Sequence, residues 1–189
     1  MLFAASGNAW KKKSEGVYYN DTGSGTLSGA VAKGVDVSSW QGTINWQKAK
    51  ANGVEFAIIR LGYGSDYKDQ DDKMLSYNVA QCEKYGIPYG FYLYSYANTA
   101  SKNTSEIAHV KRLIKDTDPT YLVYYDLEDS GTTGKRSNAE IRQYAFNYCK
   151  AIKVAGFTPG IYASLSWWKD KLNTSNLDPY ERWVAQWNN

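Results

Sequence analysis

From Gly34 onward, short apolar runs of β-type residues alternate with longer amphipathic runs, and this constrains the fold more than any other feature of the chain. The β-type runs are 34–38, 55–61, 88–96, 121–128, 159–163 and 182–187. The helical runs are 45–52, 71–85, 101–115, 138–155 and 166–172. Several carry their own punctuation. Asp71 and Asp72 suit the first turn of one helix and Gly86 its stop; Ser101 suits the N-cap of the next; Ser137 or Asn138 suits the cap before 138–155, and Gly156 its end. Strands that alternate with helices of this length form βαβ units and a parallel sheet. Two architectures satisfy that pattern, an open doubly wound sheet and a closed barrel. The turn after the first strand, Asp36-Val37-Ser38-Ser39-Trp40-Gln41-Gly42, is neither a dinucleotide fingerprint nor a P-loop, which disfavours nucleotide-binding folds. In a barrel, acidic and aromatic side chains at the C-terminal ends of strands mark the active site.

Residues 1–32 read differently. They hold scattered glycines, the run Lys11-Lys12-Lys13 and the turn-like Asn20-Asp21-Thr22-Gly23. They are expected to form an arm or linker with a short strand at Val17-Tyr18-Tyr19, ahead of a single domain over 33–189. The start, Met1 to Ser6, is apolar but lacks the parts of a complete signal peptide.

Charge and rare residues narrow the chemistry. A net charge of +3 is too small for a nucleic-acid footprint. A lone histidine, His109, argues against a His-based triad and a multi-His metal site; it is expected at the surface or half buried. The four aspartates 66, 69, 71 and 72 lack the spacing of a calcium loop and read as a solvated loop. Cys82 and Cys149 fall on the second and fourth helices, too far apart around a barrel to pair, and read as buried thiols. Trp167-Trp168 is expected to pack its short helix on the barrel. No apolar run is long enough to span a membrane.

Period-two counting along Tyr121–Glu128 puts Tyr124, Asp126 and Glu128 on one face and Val123, Tyr125 and Leu127 on the other. Two carboxylates so close at the end of an apolar strand raise one another's pKa. That suits glycoside hydrolysis, which needs one carboxylic acid and one carboxylate. Salt bridging or metal binding is the competing reading of the same pair. Asp36, between Val35 and Val37, points the opposite way from both valines. The chain also holds 17 Tyr and 7 Trp, an excess that fits sugar stacking or a tyrosine-rich core. Tyr63, Tyr92, Tyr94, Tyr96, Tyr162 and Trp187 recur at strand ends.

Seven motifs taken in order make a specific pattern. They are Gly34 to Gly42, Ile44-Asn45-Trp46, Ile59 to Gly64, Gly90 to Ala97, Asp126-Leu127-Glu128-Asp129, Gly160-Ile161-Tyr162-Ala163 and Trp183 to Trp187. Together they resemble glycoside hydrolase family 25, the Chalaropsis-type lysozymes that include autolysins and phage endolysins. The resemblance implies an α/β fold, a TIM-like irregular (β/α)5β3 barrel. It implies N-acetylmuramidase activity, cleavage of the β-1,4 bond between N-acetylmuramic acid and N-acetylglucosamine in peptidoglycan, without a cofactor. By that resemblance Glu128 is the general acid. Asp126 is the second carboxylate, which steers the substrate's acetamido group or activates water. Asp36 supports them at the mouth. Tyr63, Tyr92, Tyr94, Tyr162, Trp187 and Arg60 line the substrate groove. Peptidoglycan strands are then the partner, and the place of action is outside the cell or at its wall, with a phage lysin as one form of this.

The pattern departs from the family in one respect. Members usually continue with a Trp-Gln-Tyr strand and a final Asp-x-Asn strand, so the barrel is expected to lack its last one or two strands. Either the chain belongs to a longer protein or the arm covers the gap; the arm also resembles a wall-binding repeat in Trp10-Lys11-Lys12 and Gly16-Val17-Tyr18-Tyr19. A monomer is expected unless another chain supplies the absent strands. The alternative function is a non-catalytic peptidoglycan-binding module or an inactive short barrel, and a chitinase-like barrel is a lesser one.

Overall fold

The computed structural model describes residues 10–14, 17–20 and 26–185. Three short strands come first: β1 (Trp10–Ser14), β2 (Val17–Asn20) and β3 (Thr26–Ser28). They pair antiparallel in the order β1-β2-β3, so the strand expected at 17–19 is present, within a sheet of its own. Among the described residues this sheet is not hydrogen-bonded to the second one. Among the described residues the arm therefore does not extend that sheet by strand pairing.

The second sheet has six strands, all parallel and in chain order: β4 (Gly34–Val37), β5 (Phe56–Tyr63), β6 (Tyr89–Tyr94), β7 (Val123–Asp126), β8 (Pro159–Ser164) and β9 (Glu181–Ala185). Between them run α1 (Trp46–Ala51), α2 (Leu75–Tyr85), α3 (Ala100–Ile114), α4 (Asn138–Val154) and α5 (Leu165–Asp170). Sequential parallel strands with one crossover helix each curl the sheet into a partial barrel. The described residues supply six strands to this sheet, with β4 and β9 at its edges, which agrees with a TIM-like barrel that is incomplete.

Alternation explains both faces of the sheet. Ala57, Ile59 and Leu61 of β5, Phe91 and Leu93 of β6, Val123 and Tyr125 of β7, and Ile161 and Ala163 of β8 are fully buried against the helices. Each large aliphatic or aromatic side chain so buried contributes about 1.5–3 kcal/mol. The helices answer with their own buried stripes, such as Ile141, Ala145, Tyr148, Cys149 and Ile152 of α4. Tyr148 stacks on Tyr125 with ring centroids 4.3 Å apart, locking α4 to β7. The Trp46 indole donates to Asn78 Oδ1 at 3.0 Å and ties α1 to α2. Trp168 is buried and packs α5 on the core, as expected. Cys82 and Cys149 are both buried and free.

Four local expectations are corrected. The second long helix begins at Leu75, not Asp71. Asp71 instead bridges back to Gly62, and the Asp72 amide donates to Leu61 O at 2.8 Å. Nor is this stretch simply a solvated loop: three of its four aspartates are held by arginines, Asp66 and Asp71 by Arg112, and Asp72 by Arg60. These bonds outweigh the modest gain of an acidic side chain at a helix start. The cap of α3 is Thr99, whose Oγ1 accepts from the Lys102 amide at 3.2 Å; Ser101 lies already inside the helix. His109 is fully buried, because both ring nitrogens find partners in the protein.

Among the described residues no helix is long and apolar enough to cross a membrane.

Candidate active site

The interior of the partial barrel carries the polar chemistry. Period-two alternation aims Asp36, Arg60, Tyr92, Tyr94, Asp126, Tyr162 and Trp183 inward, and strand register sets their heights. Tyr94 lies beside Asp126, Asp126 beside Tyr162, and Tyr162 beside Trp183. β7 ends at Asp126, yet the Leu127 amide still donates to Tyr162 O at 2.9 Å. That extra rung keeps the chain extended and returns Glu128 to the inner face. One row deeper, Gly160 sits beside Tyr124, and a side chain on Gly160 would collide with the Tyr124 ring. Glycine at this position is what lets the ring lie inside.

A cavity of about 270 Å³ opens at this end, lined by Asp36, Arg60, Tyr92, Tyr94, Asp126, Glu128, Tyr162 and Trp183, with Ser38, Trp40 and Gln41 at its rim. A groove of about 780 Å³ adjoins it and shares Trp40, Arg60 and Tyr94 with it. The groove takes in Tyr63 and Tyr96, whose rings meet edge to face at 6.2 Å.

Electrostatics make the three carboxyls poor anions. Burial raises the Asp126 carboxyl well above the ordinary carboxylate range; the charges of Glu128 and Asp36 add to this, and Arg60 opposes it. Burial likewise raises Glu128; the Tyr162 hydroxyl, which donates to Glu128 Oε2 at 3.2 Å, pulls the other way. Asp36 is raised by burial. Asp126 Oδ1 is buried and makes no hydrogen bond within the protein. A buried polar atom left unpaired costs about 1–3 kcal/mol, so a fold retains one where a ligand completes it.

Arg60 supplies the cavity's cation and is itself held. Its Nε donates to Asp72 Oδ2 at 2.7 Å and its Nη2 to Ser39 Oγ at 3.0 Å. The rim segment is self-supporting: Ser38 Oγ accepts from the Trp40 amide, and the Ser38 amide donates to Gln41 Oε1 at 2.7 Å. This capping box wraps the turn after β4, and Trp40 projects from it 85% exposed.

The structure thus gathers Asp36, Arg60, Tyr92, Tyr94, Asp126, Glu128 and Tyr162 in one cavity. It places Tyr63 in the adjoining groove; Trp187 lies outside the described residues. Sequence reasoning missed Trp183, which meets Tyr162, Tyr124 and Tyr92 edge to face at 4.7, 5.3 and 6.3 Å. Period-two counting along β9 would have found it. It also missed Asp72, the partner of Arg60, for which no local signal exists. Among the described residues no group of three or more His, Cys, Asp and Glu side chains is arranged to hold a metal ion.

The profile of glycosyl hydrolases family 25 matches residues 35–189, the whole six-stranded sheet with its helices. The chain belongs to glycosyl hydrolases family 25.

The chain is similar to known proteins in sequence and in fold. Lysozyme M1 of Streptomyces globisporus is 39% identical over 69 residues, 36% of this chain and 22% of that protein. The autolytic lysozyme of Clostridium acetobutylicum is 28% identical over 157 residues, 82% of this chain and 45% of that protein. The modular autolysin LytC from Streptococcus pneumoniae superposes with a TM-score of 0.78 at 27% identity, covering 94% of this chain and 43% of that one. A muramidase from Trichobolus zukalii shares the fold at a TM-score of 0.70 and 19% identity, covering 84% of this chain and 78% of that one. The chain spans less than half the length of the first three relatives.

Proposed function

We propose that this family 25 chain hydrolyses peptidoglycan, at the β-1,4 bond between N-acetylmuramic acid and N-acetylglucosamine. The observation that carries the reading is the pair Asp126 and Glu128. Both are raised, both line one cavity, and Asp126 keeps a buried oxygen with no hydrogen-bond partner in the protein. A carboxyl that keeps its proton to higher pH can serve as a general acid, and a neighbour that ionises can take the second role; the family resemblance, not the size of either shift, gives the first role to Glu128. Glu128 protonates the leaving glycosidic oxygen. Asp126 steers the acetamido group or activates water, and Asp36 adds negative charge that favours the proton on its neighbours. Tyr92, Tyr94, Tyr162 and Trp183 form the walls against which pyranose faces rest, and Tyr63, Tyr96 and Trp40 extend that surface along the groove. The relatives' names, lysozyme, autolysin and muramidase, support the same substrate. The place of action is the cell wall, reached by secretion or as a lysin.

A non-catalytic binding module would need the aromatic walls but gains nothing from a buried carboxyl, Asp126, set beside two half-buried ones, an arrangement that costs stability. The test compares wild type with Glu128→Gln on purified walls, by turbidity and by release of muramic-acid reducing ends. Wild type is expected to clear the walls, and Glu128→Gln to bind them with hydrolysis reduced about 10²–10⁴-fold. Binding without hydrolysis by wild type overturns the reading.

A further inference from the structure

Helix α3 turns a polar stripe toward the sheet. Asn103, Glu106 and His109 follow one another at intervals of three and are all buried, and Arg112 continues the row toward solvent. Burying polar groups on a helix face is costly unless each one is bonded, and here each is. Asn103 Nδ2 donates to the Tyr125 hydroxyl at 3.1 Å and to Tyr144 O at 3.2 Å. Glu106 accepts from Ser95 Oγ and the Tyr96 amide, both at 2.8 Å, and from the Tyr125 hydroxyl at 2.5 Å. His109 sits between Gly64 O, 3.0 Å from Nδ1, and Asp71 Oδ1, 2.8 Å from Nε2. Arg112 grips the same Asp71 with two nitrogens, at 2.7 and 2.9 Å, and Asp66 with its third at 2.7 Å.

Asp71 leads directly to the cavity. It lies in a short strap that runs antiparallel to the end of β5, bridged to Gly62. A side chain at Gly62 would collide with the backbone at Gln70 and crowd the His109 ring, so glycine there is what admits the strap. The next residue, Asp72, is buried and faces the other way. It accepts from Arg60 Nε at 2.7 Å, from the Ser39 amide at 2.9 Å and from the Met74 amide at 2.8 Å. One dipeptide thus joins the α3 stripe on one side to the cavity's cation on the other.

We propose that His109 and Arg112 are positioning residues of the active site, clamping Asp71 so that Asp72 holds Arg60 and the Ser39 turn at the cavity wall. The proposal rests on reading Asp126 and Glu128 as the acid–base pair. Asp126 shares its cavity with Glu128 from its own segment, Asp36 from β4, Arg60 from β5, Tyr92 and Tyr94 from β6 and Tyr162 from β8. Arg60 is the one cation among them and lowers Asp126 against burial and the charges of Glu128 and Asp36, so moving it makes Asp126 harder to ionise. His109 itself is faced by Glu106 on its own helix and by Asp71, which Arg112 also grips.

The test uses His109→Leu, which removes both ring bonds, and His109→Gln, whose amide still donates to one of the two acceptors. The first measurement is amide exchange by NMR, as the rate at Ser39 relative to Phe91 in the sheet. The ratio is expected to rise about tenfold in His109→Leu and less in His109→Gln. A uniform loss of global stability speeds Phe91 at least as much as Ser39 and does not raise the ratio. The second is the pH profile of wall hydrolysis. Loss of the cation raises Asp126, so the acidic limb is expected to move to higher pH by about half a pH unit. Arg60→Gln is expected to move it in the same direction and further. An unchanged exchange ratio, or an unmoved limb in active His109→Leu, overturns the proposal. Should His109→Leu not fold, His109→Gln is read alone by the same two criteria. Walls left intact by wild type would remove the reading of the site instead, and the exchange ratio would still decide the clamp.

Discussion

The Tyr162 hydroxyl donates to Glu128 Oε2 at 3.2 Å, across two neighbouring strands whose register places Tyr162 beside Asp126. Burial pushes the Glu128 proton on, and this hydrogen bond favours taking it off. In the proposed mechanism the balance between them sets the pH range in which Glu128 serves as the acid. In Tyr162→Phe the donor is lost and the Glu128 carboxyl rises further. The alkaline limb of the hydrolysis profile, where the acid loses its proton, is expected to extend to higher pH. A profile with an unmoved alkaline limb would show that Glu128 is not the group that limits activity there.

Asp126→Asn is expected to abolish hydrolysis and to stabilise the fold. Burial raises this carboxyl in the folded chain. The folded state therefore holds a proton that the unfolded state releases, and stability is lost as pH rises from the ordinary carboxylate range through the raised folded value. An amide carries no such charge. The gain at pH 7 is expected at about 1–3 kcal/mol and should vanish near pH 3. Paired denaturant melts at the two pH values measure it.

Asp72 has the opposite character. It is buried against Arg60 and accepts two backbone amides as well. Asp72→Ala leaves the Arg60 guanidinium without its carboxylate and frees the Ser39 turn. A cost of about 3–5 kcal/mol is expected from breaking such a pair by removing one partner. Urea unfolding of Asp72→Ala against wild type gives the number.

Trp183 is the common neighbour of Tyr92, Tyr124 and Tyr162. Trp183→Ala is expected to cost about 3 kcal/mol of stability through the hole it leaves. It is also expected to raise KM more than it lowers kcat, since an indole supplies a binding wall and no acid or base. Trp183→Phe should recover most of the stability. Steady-state kinetics on soluble glycan fragments separate the two effects.

Both cysteines are buried, and burial is the leading cause that pushes each thiol up to about 12. A thiol that is neither ionised nor accessible does not react. Neither Cys82 nor Cys149 is expected to react with a thiol reagent at pH 8 in the folded chain, and both should react in urea. Rapid native labelling of either one would contradict the packing around α2 and α4.

Much of this was legible in the chain because its carriers are local. Alternation along 121–128 separates Asp126 and Glu128 from Val123 and Tyr125 without any knowledge of neighbours, and the structure keeps that separation. The caps at Ser137 and Thr99 show the limit of such reasoning. Ser137 closes a capping box with Glu140 three residues on, a signal contained in four residues. Thr99 and Ser101 offer the same hydroxyl, and only the point where the chain enters α3 chooses between them.

Long-range pairing was not legible. Four aspartates within seven residues look alike in sequence. Asp72 became the buried partner of Arg60, and Asp66 and Asp71 the ligands of Arg112, because a strap folds back on β5 and α3 packs beside it. His109 reads as an ordinary helix residue until Gly64 and Asp71, 45 and 38 positions away, close on its two nitrogens. By itself the sequence determined the strand–helix alternation, the family, and which side chains face the barrel, since periodicity and short motifs are properties of neighbours in the chain. Only the tertiary structure decided which charges pair, which carboxyls lose water, and how Arg60 is held, since these depend on distances between residues that the chain keeps far apart.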